Sequence, residues 1–228
     1  MTLSEPTTDL SHIDYWIFDL DNTLYPVTDK LLAHIDTHMS GFVANFLSVD
    51  AEEARRIQKS YFRKYGLTLR GLMIHHGLDP VRYFEEMTPM DLTEIDPNPA
   101  LGAAIADLPG RKLIYTNSSR HHTEMVLDRL EFGDIFDGVF DITAADYVPK
   151  PAVEAYRKMC DLHAIDPARA LMVDDIARNL EPAAALGMTT VWMQTGAEWA
   201  KDVTPEAHIH SMTRDIMEWV TDTVAIRS

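Results

Sequence analysis

Short apolar runs, each followed by polar side chains, constrain this chain more than any other feature. Tyr15-Trp16-Ile17-Phe18 reads as a buried strand and stops abruptly at Asp19, with Asp21, Asn22 and Thr23 close behind. Lys112-Leu113-Ile114-Tyr115 ends in Thr116-Asn117-Ser118-Ser119. A short strand near 138–141 is followed by Lys150-Pro151, and Ala170-Leu171-Met172-Val173 ends in Asp174-Asp175. Thr189 to Met193 is one more such run. Helical patterns separate the runs, at about 99–108, 120–131, 151–163 and 178–186, the last closed by Gly187, and a final helix is expected over 213–223. Strands and helices alternating at this spacing predict an α/β fold with a doubly wound parallel sheet. Parallel strands put all their carboxyl ends on one edge, and ligands bind at that edge. The polar endings therefore converge.

One stretch breaks the alternation. Between the first and second strands, residues 26–97 are read as entirely helical. Leu31, Leu32, Ile35, Met39, Phe42, Val43 and Phe46 recur at helical spacing. Asp50 with Glu53 forms a capping box, and Ala54, Ile57, Tyr61 and Tyr65 line the next helix up to Gly66. A third helix is expected over 68–75, and Asp79-Pro80 opens a fourth. The segment from Thr88 to Pro99, with three prolines, reads as the way back. The expected domains are a core of 1–25 and 98–228 and an inserted helical unit of 26–97, placed as a lid over the end of the first strand.

Charge narrows the partners. The 228 residues carry 36 acidic and 20 basic side chains, a formal net charge of −16, with no cluster of Lys and Arg. Such a chain repels nucleic acid polymers and anionic membrane surfaces. A small phosphorylated molecule stays compatible if a cation neutralises the site. The single cysteine, Cys160, allows no internal disulfide and is assigned to packing. The start of the chain lacks the pattern of a signal peptide, and no run approaches the roughly 18 apolar residues of a membrane helix. The expected location is cytoplasmic, and the oligomeric state is open.

Taken singly, each polar ending is ordinary: a turn at Asp19 to Asn22, a helix start at Thr116-Asn117, a solvated Lys150, an acidic loop at Asp174-Asp175. Converging on one edge, they make a site with four carboxylates (Asp19, Asp21, Asp174, Asp175) against one ammonium, Lys150. Crowding of that kind drives protonation unless a cation is bound. An all-oxygen donor set suits Mg2+. Metal and Lys150 together leave a site that can accept a phosphate held by the cation, by Thr116 and by backbone N–H groups.

The order Asp19-x-Asp21-x-Thr23, Thr116-Asn117, Lys150-Pro151, Asp174-Asp175 resembles the haloacid dehalogenase superfamily in its phosphohydrolase branch, over about residues 16–195. The resemblance implies a Rossmann-like core and identifies the insert with that superfamily's helical cap of the first type. Asp21 to Pro26, Tyr65 to Leu72 and Asp174 to Asn179 are similar to pyrimidine 5′-nucleotidases. On this resemblance Asp19 is the nucleophile, forming an aspartyl-phosphate, and Asp21 the general acid and then base. Mg2+ would be bound by Asp19, the backbone carbonyl of Asp21 and Asp174, supported by Asp175, Asn179 and Thr23. Thr116, Lys150 and the backbone N–H groups of Leu20, Asp21 and Asn117 would hold the phosphoryl oxygens. Tyr25 and Arg70 are the candidate substrate contacts, and a nucleoside monophosphate the expected substrate. The competing readings are a phosphatase for a sugar phosphate or phosphoglycolate, a phosphomutase, and a non-catalytic binding protein of the same fold. The doublets His75-His76 and His121-His122 are set aside as metal ligands, because neighbours on a helix point about 100° apart.

Overall fold

The computed structural model describes residues 9–87, 91–195 and 207–227. The beginning of the lead-in (1–8) and the opening of the Pro-rich return (88–90) lie outside the described residues. Six strands make one parallel sheet: β1 (Tyr15–Phe18), β2 (Arg111–Tyr115), β3 (Gly138–Phe140), β4 (Ala170–Asp174), β5 (Thr189–Met193) and β6 (Ser211–Thr213). Their order across the sheet is β3-β2-β1-β4-β5-β6. The strand order reverses at β1, so β1 sits at the switch point where open α/β sheets bind ligands.

Alternation along each strand sorts side chains to the two faces. Trp16, Phe18, Ile114, Leu171 and Val173 face α5 (Pro99–Ala106), α6 (Arg120–Leu130) and α9 (Ile216–Arg227), where Leu101, Ile105, Val126 and Val220 meet them. Ile17, Leu113, Tyr115 and Met172 face α7 (Val153–His163) and α8 (Ala177–Ala185), against Tyr156, Met159 and Leu180. Because both faces are covered, β1 and β4 are apolar at nearly every position, as buried parallel strands require. Cys160 is buried and unpaired in the second of these clusters.

Between β1 and α5 the chain forms α1 (Asp29–Leu47), α2 (Ala51–Tyr65), α3 (Thr68–His76) and α4 (Pro80–Met87). Thr28 caps α1 by accepting from the N–H of Leu31, and Asp50 caps α2 by accepting from that of Glu53. Losing such a cap costs about 1 kcal/mol. These helices share their own apolar cluster, with Phe42, Val43, Ala54, Leu69, Leu72 and Tyr83. Gly66 ends α2 at φ +78, and a Cβ there would come within 2.6 Å of the Lys150 carbonyl oxygen. A glycine is needed on both counts: the left-handed backbone and the close approach. No helix among the described residues is long and apolar enough to cross a membrane.

The strands and helices fall within a few residues of their expected positions, with one exception. The last helix begins at Ile216 rather than 213, because Ser211–Thr213 pairs with β5 as a sixth strand.

Candidate active site

Register alone brings three of the polar endings together. Phe18 pairs with Ile114 on one side and Val173 on the other, so Asp19 follows level with Tyr115 and Asp174. The N–H of Asp19 donates to the Val173 carbonyl at 2.9 Å and fixes this placement. Lys150 arrives from the loop after β3 and is fully buried. Its Nζ donates to Asp19 Oδ1 at 2.8 Å, Asp174 Oδ2 at 2.6 Å and the Tyr115 carbonyl at 3.0 Å. The loop is held by Asn117, whose Oδ1 accepts from the Lys150 N–H at 2.8 Å. Asp174 Oδ1 accepts from the N–H of Ile176 and from Asn179 Nδ2, both at 2.9 Å. Thr23 Oγ1 lies 3.4 Å from Asp19 Oδ2, and Thr116 is buried with its Oγ1 accepting from the Ser118 N–H.

Burial raises the Asp19 carboxyl to about 7; Lys150 opposes the rise and Asp174 adds to it. Burial likewise raises Asp175 well above the carboxylate range, with Asp19 and Asp174 contributing. Burial weakens the Lys150 ammonium's hold on its proton, but Asp174 and Asp19 outweigh it and strengthen that hold. One oxygen each from Asp19, Asp174 and Asp175 lie within 4.8 Å of one another. Asp175 Oδ2 is buried with no hydrogen-bond partner. An orphaned carboxylate oxygen in a cluster of three carboxylates and one ammonium fits a hard divalent cation: the donors are all oxygen, and two negative charges are left to balance. The sequence placed Asp175 behind the metal ligands; its oxygen lies within the cluster.

Asp21 sits beside this cluster and differs from it. Its side chain is 31% exposed. It accepts from the Tyr25 hydroxyl at 2.5 Å, Ser118 Oγ at 2.8 Å and His122 Nε2–H at 3.0 Å. Burial works against its charge, but His122, Tyr25 and Ser118 prevail and hold the carboxyl below its ordinary range. Reciprocally, burial disfavours the His122 cation, while Asp21 outweighs it and raises the imidazole. Ser118 and His122 were missed in the sequence. The available signal was position: Ser119 caps α6, so His122 lies in the first turn of the helix leaving β2. His75 and His76 instead pair with the hydroxyls of Tyr65 and Tyr61.

A cavity of about 270 Å³ opens from Asp21. Val27, α1 and α4 wall it on one side, with Ile35, Met39 and Phe84; α6 and the segment after β2 wall the other, with Met125 and Ser118. Tyr25 is 5% exposed, packs in the core and spends its hydroxyl on Asp21. Arg70, half-buried on α3, is not among the residues lining this cavity.

A buried carboxylate–lysine cluster at the switch point, beside a second, hydrogen-bonded aspartate, has the make-up of a candidate active site. The profile of the haloacid dehalogenase-like hydrolases matches residues 13–187, and the chain belongs to that family. It is 27% identical over 194 residues to phosphate metabolism protein 8 of Saccharomyces cerevisiae, covering 76% of this chain and 59% of that protein. It is 27% identical over 129 residues to enolase-phosphatase E1 of Shewanella frigidimarina, covering 55% of this chain and 53% of that one. The chain thus spans between half and three fifths of the length of these two relatives. Among solved structures, a mutant of CbbY from Rhodobacter sphaeroides in complex with xylulose-(1,5)bisphosphate superposes with a TM-score of 0.63. The two are 18% identical, and the match covers 90% of this chain and 96% of that one. This likeness shows the fold.

Proposed function

We propose that this protein is a magnesium-dependent phosphomonoester hydrolase working through an aspartyl-phosphate. The observation that carries the reading is the buried contact of Lys150 with both Asp19 and Asp174, with Asp21 two residues from the nucleophile and turned toward an open cavity. The names of the curated relatives, a phosphate metabolism protein and an enolase-phosphatase, point the same way.

Asp19, one of whose oxygens is held by Lys150, attacks phosphorus; the P–O bond to the leaving group breaks as the Asp19–phosphorus bond forms. Lys150 offsets the charge of the phosphoryl oxygens, and Thr116 with the N–H groups of Leu20, Asp21 and Asn117 orients them by hydrogen bonds. Asp19, Asp174 and the backbone carbonyl of Asp21, with Asp175 beside them, would hold Mg2+, which when bound supplies positive charge against the phosphate. Asn179 and Thr23 fix the carboxylates. Asp21 gives a proton to the leaving oxygen, then takes one from the water that cleaves the aspartyl-phosphate. Its three donors favour the ionised form that the second step uses. An incoming phosphate dianion raises its proton affinity for the first.

Residues 26–97 act as a lid that closes over this edge and excludes water. Pyrimidine nucleoside 5′-monophosphates are the proposed substrates, on the likeness of the segments around Asp21, Arg70 and Asp174 to the nucleotidases. The test is phosphate release from a panel of nucleotides, sugar phosphates and p-nitrophenyl phosphate with magnesium, for wild type and Asp19→Asn. Release by wild type and none by the variant supports the reading. Equal turnover by pure Asp19→Asn refutes the nucleophile.

A further inference from the structure

We propose that the cavity beyond Asp21 selects leaving groups that are uncharged and present a flat apolar face, and rejects any that carry a second anion. The inference deepens the phosphomonoesterase reading and rests on it for Asp21 facing the leaving oxygen.

In this cavity a group attached to that oxygen meets a wall of side chains, and the wall has a definite chemistry. Ile35 and Met39 come from α1, Phe84 and Met87 from α4, and Met125 from α6. None of the described lining residues is a lysine or an arginine. The lining polar groups nearest Asp21 are already engaged. Asn22 Oδ1 accepts from the Val27 N–H at 2.9 Å, and the Asn117 side chain serves the Lys150 loop. Ser118 Oγ and His122 Nε2 both donate to Asp21. What is left for a ligand is mostly apolar and aromatic surface, with His121, Ser119 and Tyr83 the remaining polar side chains of the lining. A second phosphate or a carboxylate placed here would be desolvated against methionines and would face Asp21, whose charge already engages the His122 imidazole; His121 is the other imidazole of the lining, and no lysine or arginine is at hand to pair with it. A ring meets the opposite situation. The volume, about 270 Å³, is near the lower end of small-molecule sites. Unbranched methionine side chains adapt to a flat group and make favourable sulfur–aromatic contacts.

Few polar groups of the wall remain to read the edge of a base. Discrimination between two bases of similar size therefore stays small, since hydrophobic pockets separate close isosteres weakly. UMP and CMP should be handled alike, and an aryl phosphate nearly as well, whereas sugar bisphosphates and phosphoglycolate should be poor.

The experiment is equilibrium binding by calorimetry with magnesium present, using benzylphosphonate and phosphonoacetate, which differ in what they place in the cavity. Burying a ring should make benzylphosphonate about ten- to a hundredfold tighter on wild type. Met125→Lys should reduce or reverse that ratio by supplying the missing cation. Leu32→Lys, at a lining position already 38% exposed, does the same from α1 and serves if Met125→Lys fails to fold. Phosphonoacetate binding as tightly as benzylphosphonate to wild type overturns the proposal. So does failure of both to bind, or an unchanged ratio in a folded lysine variant. Phosphate release from p-nitrophenyl phosphate is followed in parallel. Its absence alongside a clear benzyl preference would sink the hydrolase reading and support the subsite. Its presence with no preference would do the reverse.

Discussion

Lys150→Met is the most informative single perturbation. The ammonium is 2% exposed and makes its three contacts with Asp19, Asp174 and Tyr115 in a space that also holds Asp175. Methionine fills similar volume, so the packing of the neighbouring Tyr115 ring, 5.1 Å from Nζ, is kept and the charge alone is lost. Three buried carboxylates then face one another with nothing between them. Breaking a buried ion pair on one side costs about 3–5 kcal/mol. In a chain of this size each kcal/mol moves the melting temperature by about 2–4 °C, so the melt should fall by roughly 6–20 °C in chelator. Adding Asp174→Asn to the same protein should recover part of the loss. That change removes one carboxylate and keeps an oxygen to accept from Ile176 and Asn179. Magnesium should raise the melt of Lys150→Met more than that of wild type, since it replaces the missing charge and binds only the folded form. Calorimetric or circular-dichroism melts of the three proteins, in EDTA and in magnesium, read all of this. A Lys150→Met melt within about 2 °C of wild type in EDTA would refute the charge argument.

Three further outcomes are expected. EDTA should abolish phosphate release and magnesium restore it; full release in excess chelator would remove the metal from the mechanism. Asp21→Asn should slow leaving-group release from an alkyl phosphate by about 10²–10⁴-fold and the pre-steady-state burst of p-nitrophenolate, whose departure needs no proton, far less; equal losses in that first step would count against Asp21 as acid. Gly66→Ala should destabilise the protein by more than about 1 kcal/mol in urea titration, because φ is +78 and the added carbon meets the Lys150 carbonyl; no change would mean that this contact is slack.

Local physics explains which parts were legible. Alternation, caps and strand endings are written in neighbouring residues, so the sheet, the helices and the Asp19–Lys150–Asp174 cluster could be read directly. Asp50 and Gly66 marked α2 at both ends. The partners of Asp21 could not be read this way, because Ser118 and His122 lie 97 and 101 residues away and only the sheet register brings them near. Tyr25 was visible as an aromatic next to the motif, but its burial and its bond to Asp21 depend on the packing around β1. β6 escaped because three half-buried residues carry too little pattern to separate an edge strand from a helix start.

The central position of β1 sets an order of events for making the protein. Its first residue pairs with Arg111 on one side and with Ala170 on the other. Contacts so distant in sequence are slow to form, since a long loop must close before they return any stabilisation. As the chain leaves the ribosome, α1 to α4 can gather their own apolar cluster while Trp16, Ile17 and Phe18 still wait for both neighbours. Until β4 has been synthesised, the apolar strand that carries Asp19 keeps one unpaired edge, which is where a nascent chain is open to aggregation and to chaperones.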